Sequence, residues 1–185
     1  MKITIRRGDD TTIAPHFIAS EFYSKQSTAP ASHDFYSELV EAVSFLRQYY
    51  DTPWRITSTY RPDSIGSQHR ECRAVDSQPT NMSQTIVLDL VAQLLNPTSE
   101  IFTQMRRLGI NGFGVYDTFV HLDCRDTAKF PANHHDKFGP YAFWDERKKK
   151  VAAGTNPLLL KKLSPPKVKA APISRRSSLS SPLRP

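Results

Sequence analysis

The stretch FVHLDCR, residues 119–125, constrains the fold strongly because polar and apolar side chains alternate along it. Successive side chains of a β-strand point to opposite faces of its sheet. One face of this strand would carry Phe119, His121, Asp123 and Arg125, and the other face Val120, Leu122 and Cys124. We therefore expect a sheet with one face on an apolar core and the other face in a polar cleft.

Helical periodicity occurs in three segments. Apolar residues recur at steps of three and four over residues 34–50, which predicts a helix that stops at residues 51–53. SQTIVLDLVAQLL predicts a second helix with Ser83 as its N-cap, and SEIFTQMRRLG predicts a third between a Ser99 cap and a Gly109 stop.

The segments between these helices predict strands. WRITSTY and AVDSQ, residues 54–60 and 74–78, have strand composition, and Asp117-Thr118 separates two β-rich runs as a tight hairpin would. Residues 128–147 predict an irregular, aromatic wrap that closes the domain. The predicted fold class is therefore α+β, with a small antiparallel sheet flanked by helices.

The composition changes at Lys148. Ten of the 25 Lys and Arg residues and none of the 18 Asp and Glu residues lie from there to the end, so 15 basic and 18 acidic residues give 1–147 a net charge of −3. The end of the chain is also rich in Pro and Ser. We expect a folded domain at 1–147 and a disordered tail at 148–185. Such a tail could bind nucleic acid or another anionic polymer.

The chain lacks the sequence signals of membrane insertion and secretion. No apolar run approaches the ~20 residues of a membrane span, and the first residues lack the apolar core of a secretory signal. Action outside a cell would then need lysis or delivery by a particle. Cys72 and Cys124 are too few for a disulfide scaffold, so we expect reduced thiols.

Three polar residues could form a metal site. His69 and Asp76 lie in the segment SQHRECRAVD, and His121 lies on the cleft side of the strand at 119–125. Zinc accepts imidazole nitrogen and carboxylate oxygen, and catalytic zinc sites keep one position for water. These residues would supply three protein ligands. An ordinary surface loop with a solvated histidine and a capping aspartate is the alternative interpretation.

The same segments could instead form a different zinc site. His69 and Cys72 have the same spacing as His121 and Cys124, so the four residues could form a structural two-Cys, two-His site. A strand at 119–125 disfavours this site because His121 and Cys124 would point to opposite faces.

Five blocks over residues 15–147 resemble, in order and spacing, the zinc D-Ala-D-Ala carboxypeptidases and related peptidoglycan peptidases. The blocks are HFIASEF, WRITSTYRP, SQHRECRAVD, GFGVY and FVHLDCR. SQHRECRAVD resembles the family's Ser-x-His-x6-Asp motif, and FVHLDCR resembles its second histidine segment. The resemblance implies the Hedgehog/D-Ala-D-Ala peptidase fold and one zinc ion held by His69, Asp76 and His121.

The resemblance also implies roles around the metal. Arg61 would bind a substrate carboxylate, for which a guanidinium fork is well shaped, and Ser67 would hydrogen-bond the substrate. Many relatives carry Glu or Asp three positions before the second histidine, where this chain has Thr118. Asp123 is then the expected general base and Asp117 the competing candidate. Asp123 could instead orient Arg125 or a ligand histidine.

The function implied is that of a zinc-dependent peptidase acting on peptidoglycan stem peptides, as a D,D-carboxypeptidase or an endopeptidase, with a metal-activated water as nucleophile. We expect a monomer made in the cytoplasm that acts on the cell wall as a phage-type lysis enzyme or a virion-associated protein. The alternative is a non-catalytic, zinc-stabilised module that binds nucleic acid or anionic wall polymers through its tail.

Overall fold

The computed structural model describes residues 1–80 and 84–148. Its elements are, in chain order, β1 (Lys2–Arg6), β2 (Thr12–Ala14), β3 (Phe17–Ile18), β4 (Ser32–Tyr36), α1 (Ser37–Tyr49), β5 (Trp54–Ser58), β6 (Ala74–Pro79), α2 (Gln84–Leu94), α3 (Glu100–Arg107), β7 (Gly112–Val115), β8 (Val120–Asp123), β9 (His134–Asp136) and β10 (Gly139–Asp145). The expected helix cap Ser83 and the basic tail after Lys148 lie outside the described residues.

The main sheet has six strands in the order β5-β6-β8-β7-β10-β9. Its neighbouring strands are antiparallel, except that β7 and β10 are parallel. The α+β class and the mostly antiparallel sheet are as predicted, but the sheet is larger than the small one expected. Strands β9 and β10 account for much of the difference, because the sequence pattern assigned their residues to an irregular wrap.

The prediction of an irregular wrap is wrong because pairing of β10 with β7, contacts within the segment and a contact from α3 hold it extended. The Asn133 amide accepts a hydrogen bond from the Phe143 backbone N–H at 2.9 Å and donates to the Phe143 carbonyl at 2.8 Å. Arg106 of α3 donates to Asp136 of β9 at 2.9 Å. Gly139-Pro140, a turn signal in isolation, begins a strand under these constraints.

The first helix begins at Ser37 rather than Asp34. Residues Ser32–Tyr36 form β4, which pairs antiparallel with β1, and His33 and Phe35 alternate with exposed neighbours and are buried. The pattern of residues 34–36 is compatible with a helix or a strand, and the pairing with β1 decides between them.

The core lies on one face of the main sheet, against which α1 packs. Val75, Leu122 and Phe113 are neighbours in the register of β6, β8 and β7 and are at most 1% exposed. Leu122 therefore faces the core as predicted. Asp76 and His121, one residue away along their strands, point to the opposite face.

Local signals predicted several element ends correctly. The Ser99 side chain caps α3 by accepting a backbone N–H of the first turn at 3.0 Å, and Gly109 follows α3 with φ +77°. The Tyr116 N–H donates to the Phe119 carbonyl at 3.0 Å and closes the hairpin at Asp117-Thr118.

Within the described ranges, none of the helices combines the length and the apolar character that crossing a bilayer requires.

Candidate metal centre

Two ligand candidates lie side by side in one row of the main sheet. Asp76 of β6 is opposite His121 of β8, and Gly114 of β7 lies on the other side of His121. Trp144 of β10 is the next residue of the row. Residues in one register row share a face of the sheet, so this row lies on the face away from the core. His69 reaches it from the loop between β5 and β6.

The ligand atoms of His69, Asp76 and His121 converge. His69 Nε2 lies 3.2 Å from both His121 Nδ1 and Asp76 Oδ1, and His121 Nδ1 lies 2.8 Å from Asp76 Oδ1. Two ligands bound tetrahedrally to zinc, each ~2.0–2.1 Å from the ion, are about 3.3 Å apart. All three side chains are buried. Two edges of the triangle are therefore close to the length that a tetrahedral ion requires and the third is shorter, and the cluster could hold a metal ion.

Hydrogen bonds orient both imidazole rings so that one nitrogen of each ring faces the cluster. His69 Nδ1 donates to the Thr59 carbonyl at 2.6 Å, which leaves the lone pair of Nε2 facing the cluster. His121 Nε2 donates to Asp123 Oδ2 at 3.0 Å, which turns Nδ1 toward the cluster. Partners of this kind orient a ligating histidine and raise its basicity.

Asp123 lies behind His121 and is 0% exposed. Its Oδ1 accepts from the backbone N–H and Nε of Arg125 at 3.0 and 2.9 Å, and its Oδ2 accepts from Arg125 Nη2 at 2.7 Å. A general base must reach the proton of the attacking water directly or through one further water. These contacts agree with the interpretation that Asp123 orients His121 and Arg125, and its role as general base stays a prediction.

Asp117, the competing candidate, lies at the exposed tip of the β7–β8 hairpin. Its Oδ1 accepts a hydrogen bond from the backbone N–H of Lys148 at 3.1 Å. Up to about 13 Å of chain separates it from His121. The metal-ligating group found in the described residues does not include Asp117.

The buried charges of the cluster shift the protonation of its members. Burial raises the pKa of Asp76, but hydrogen bonds with His121 and His69 outweigh burial and hold this pKa well below its ordinary value. Burial lowers the pKa of His121, but hydrogen bonds to Asp123 and Asp76 raise it above its ordinary value. A proton on His121 Nδ1 would therefore compete with a metal ion for the same lone pair.

Two glycines of β7 provide space for this arrangement. A Cβ atom on Gly112 would overlap the Asp123 carboxylate, and a Cβ atom on Gly114 would lie 2.6 Å from the Trp144 indole. Both approaches are closer than real Cβ contacts. The GFG motif thus allows Asp123 to pack behind His121 and Trp144 to lie over β7.

Arg61 lies against the cluster. Its Nη2 donates to His69 Nε2 at 2.7 Å and also to Asp76 Oδ2, and its Nε donates to Ser58 Oγ at 2.8 Å. The side chain is 34% exposed, so the guanidinium faces both the ligands and solvent. Ser67 Oγ accepts the backbone N–H of His69 at 3.2 Å and thereby shapes the ligand loop. Contact between Ser67 and a substrate stays a prediction.

The structure does not form the two-Cys, two-His site. In residues 1–80 and 84–148 the metal-ligating group comprises two histidines and an aspartate, and neither cysteine belongs to it. Cys72 Sγ lies 3.9 Å from His33 Nδ1 instead, and Cys124 follows β8 on the side opposite His121. Both thiols are free, and burial raises the pKa of Cys72 to about 11 and that of Cys124 to about 12.

The sequence patterns missed two residues that contact the ligand histidines. Thr59 acts through its carbonyl, which leaves no side-chain signal. The Trp144 ring lies 5.3 Å from the His121 ring, between centroids. The two glycines spaced by one residue in GFG are the signal for Trp144, because small residues on one face of a strand leave room for a large neighbour.

Comparisons with models of protein families, with curated proteins and with solved structures found no match.

Proposed function

We propose that the chain is a zinc-dependent peptidase with the Hedgehog/D-Ala-D-Ala peptidase fold that hydrolyses peptide bonds in peptidoglycan stem peptides. The observation that supports it is the buried triangle of His69, Asp76 and His121. These are the residues that the resemblance to the zinc D-Ala-D-Ala carboxypeptidases implies as ligands. The partly exposed Arg61 beside them supports a peptide substrate with a free carboxylate.

The residues fit zinc in their chemistry as well as in their spacing. His69 and His121 each turn one ring nitrogen toward the cluster, and Asp76 adds one negative charge. A zinc ion held by this set would polarise a substrate carbonyl and acidify a water molecule. A single carboxylate leaves the site net positive, which favours an electron-rich carbonyl oxygen over apolar groups.

Arg61 is the residue that we assign to the substrate carboxylate. A cation in the cluster would repel the guanidinium, weaken the contact between Arg61 Nη2 and His69 Nε2 and leave the guanidinium fork available to another anion. The hydrogen bond of 2.8 Å from Arg61 Nε to Ser58 Oγ keeps the Arg61 side chain at the edge of the cluster. A carboxylate paired with Arg61 would hold the neighbouring peptide bond close to the ligands.

The proposal is tested by incubating the zinc-loaded full chain with purified stem peptides and identifying the products by mass spectrometry. His69→Ala removes one of three ligands, so we expect loss of bound zinc and of turnover, with the circular dichroism spectrum retained because His69 lies in a loop. The control is His135→Ala, which removes an exposed histidine of β9 outside the cluster. A His69→Ala protein that cleaves at the wild-type rate contradicts the proposal.

The second candidate is a non-catalytic, zinc-stabilised module that binds nucleic acid or anionic wall polymers through its tail. The charge separation between residues 1–147 and 148–185 favours it. In that case the zinc-loaded wild type leaves stem peptides uncut, and His69→Ala lowers thermal stability only. The same experiment therefore separates the two candidates.

A further inference from the structure

Three aromatic rings form a continuous, partly exposed surface beside the metal centre. The Trp144 ring lies 5.3 Å from the His121 ring, and Trp144 Nε1 donates to Tyr116 Oη at 3.0 Å. The Tyr116 ring stacks on Phe119 with centroids 4.3 Å apart and planes 11° apart. All three are partly exposed, whereas Phe113 of the core is 0% exposed. We call Trp144, Tyr116 and Phe119 the aromatic wall.

The indole of Trp144 is held in place from several sides. It lies over Gly114, where a Cβ atom would be 2.6 Å away, and the Arg125 guanidinium lies 5.0 Å from its centroid. Arg125 is itself bound to Asp123 through two of its nitrogens. A partly exposed indole with its N–H satisfied and its position fixed can bury apolar groups at little conformational cost.

The aromatic wall and Arg61 lie on opposite sides of the metal centre. Arg61 follows β5 and contacts His69 and Asp76, whereas Trp144 belongs to β10 and lies against His121. Two strand spacings separate β8 from β10. They span about 10 Å, which is roughly three residues of an extended peptide. A substrate held by its carboxylate at Arg61 and lying across the metal centre would reach the wall next to His121.

We infer that the aromatic wall binds the aliphatic parts of up to about three substrate residues on the side of the scissile bond away from Arg61, with Trp144 as the specificity-determining residue. The inference rests on the proposed peptidase function and adds to it the direction in which the peptide lies. It also assigns a role to the GFG motif, because Gly114 allows the indole to reach the cleft.

The experiment compares a stem peptide that the wild type cleaves with versions shortened residue by residue from the end that would lie along the wall. For the wild type we expect kcat/KM to fall by about 10- to 100-fold as the first three residues are removed. Trp144→Ala should cleave the full peptide as poorly as the wild type cleaves the shortest one, mainly through a higher KM. Trp144→Phe keeps an aromatic ring and should retain most of the dependence of kcat/KM on peptide length.

Two further variants separate recognition from support of His121. Gly114→Ala displaces the indole without removing it. The kcat/KM of this variant should therefore depend less on peptide length than that of the wild type. Phe138→Ala removes an aromatic side chain that is 40% exposed in the β9–β10 turn and should behave as wild type. The inference is overturned if Trp144→Ala keeps the wild-type length dependence, or if its loss is equal for every peptide and accompanied by loss of zinc.

Fluorescence distinguishes failure of this inference from failure of the proposed function. The chain has two tryptophans, and Trp54 is 2% exposed, so a peptide that binds along the wall should change the emission of Trp144. Trp144→Phe should abolish the change. A wild type that cleaves no stem peptide overturns the proposed function. A wild type that cleaves, but whose emission and KM do not respond to peptide length, overturns the inference alone.

Discussion

The Asp123 carboxylate sets which nitrogen of His121 faces the metal centre. Its Oδ2 accepts a hydrogen bond from His121 Nε2 at 3.0 Å, and Arg125 holds the carboxylate in place. Burial raises the pKa of Asp123, but hydrogen bonds from Arg125 and His121 outweigh burial and lower it. Asp123 therefore stays ionised near neutral pH, and its charge contributes to the raised pKa of His121. Asp123 would therefore act on a bound metal ion through His121.

Asp123→Asn should weaken metal binding by about 10- to 100-fold, because the ring loses the charge that increases its basicity. A histidine with a raised pKa loses its metal as pH falls through that raised value, since the proton displaces the ion. Removing the Asp123 charge lowers the pKa of His121, so the bend in a plot of log Kd against pH should move to lower pH. Chelator competition on both sides of pH ~6.5 measures this plot.

Asp126→Asn, on the partly exposed loop that follows β8, is the control and should leave both the affinity and the bend unchanged. An Asp123→Asn protein with the wild-type affinity and bend would show that the hydrogen bond to His121 does not tune the metal centre.

The β7–β8 hairpin shows what sequence patterns reveal about an element and what they do not. Alternation in 119–125 predicted the faces of His121 and Leu122 correctly, because strand periodicity is local. Local capping and turn chemistry likewise predicted the end of α3 and the hairpin at Asp117-Thr118. Pairing between distant segments was not accessible from these patterns. The sequence patterns therefore predicted a helix for residues 34–36 of β4 and an irregular wrap for β9 and β10.

The residues of the candidate site also divide into those that the sequence indicates and those that it does not. His69, Asp76 and His121 were named from residue type and order, because metal ligands carry their own chemistry. The role of Trp144 depends on the parallel register of β10 with β7, and that of Thr59 depends on a backbone carbonyl. No sequence pattern close to Trp144 or Thr59 indicates either role.

Gly112→Ala tests whether the GFG motif of β7 serves the metal centre. The added Cβ would overlap the Asp123 carboxylate, so we expect a loss of about 1–3 kcal/mol in the free energy of unfolding from overpacking. We also expect weaker metal binding as Asp123 shifts away from His121. Urea unfolding and chelator competition measure the two effects.

Gly8→Ala is the matched control for Gly112→Ala. Gly8 has φ +70°, and no atom lies within 4 Å of the position that its Cβ would take. The substitution therefore costs about 1 kcal/mol of backbone strain without touching the metal centre. Equal metal affinity in the two variants would show that the glycine of β7 matters only for stability.

At the scale of the whole molecule, the candidate metal centre joins the loop between β5 and β6 to the main sheet. Asp76 and His121 belong to paired strands, but His69 lies in the loop between β5 and β6, which is tied to the cluster by side-chain contacts. A metal ion would add three bonds between these segments. It would also neutralise the buried Asp76, whose lowered pKa keeps it charged.

Removal of the metal should therefore lower the thermal stability of the full chain. An ion present at about 1,000 times its Kd contributes about 4 kcal/mol, which corresponds to roughly 10 °C in Tm for a protein of this size. His69→Ala should start near the lower Tm and show no response to chelator. The difference in Tm between the metal-loaded and the metal-free protein should shrink as pH falls, because protonation of His121 competes with the ion. Asp76 stays ionised to much lower pH and does not contribute to this loss. Calorimetry with and without chelator at several pH values measures it, and a Tm that chelator leaves unchanged at neutral pH would contradict a metal ion bound between these three residues.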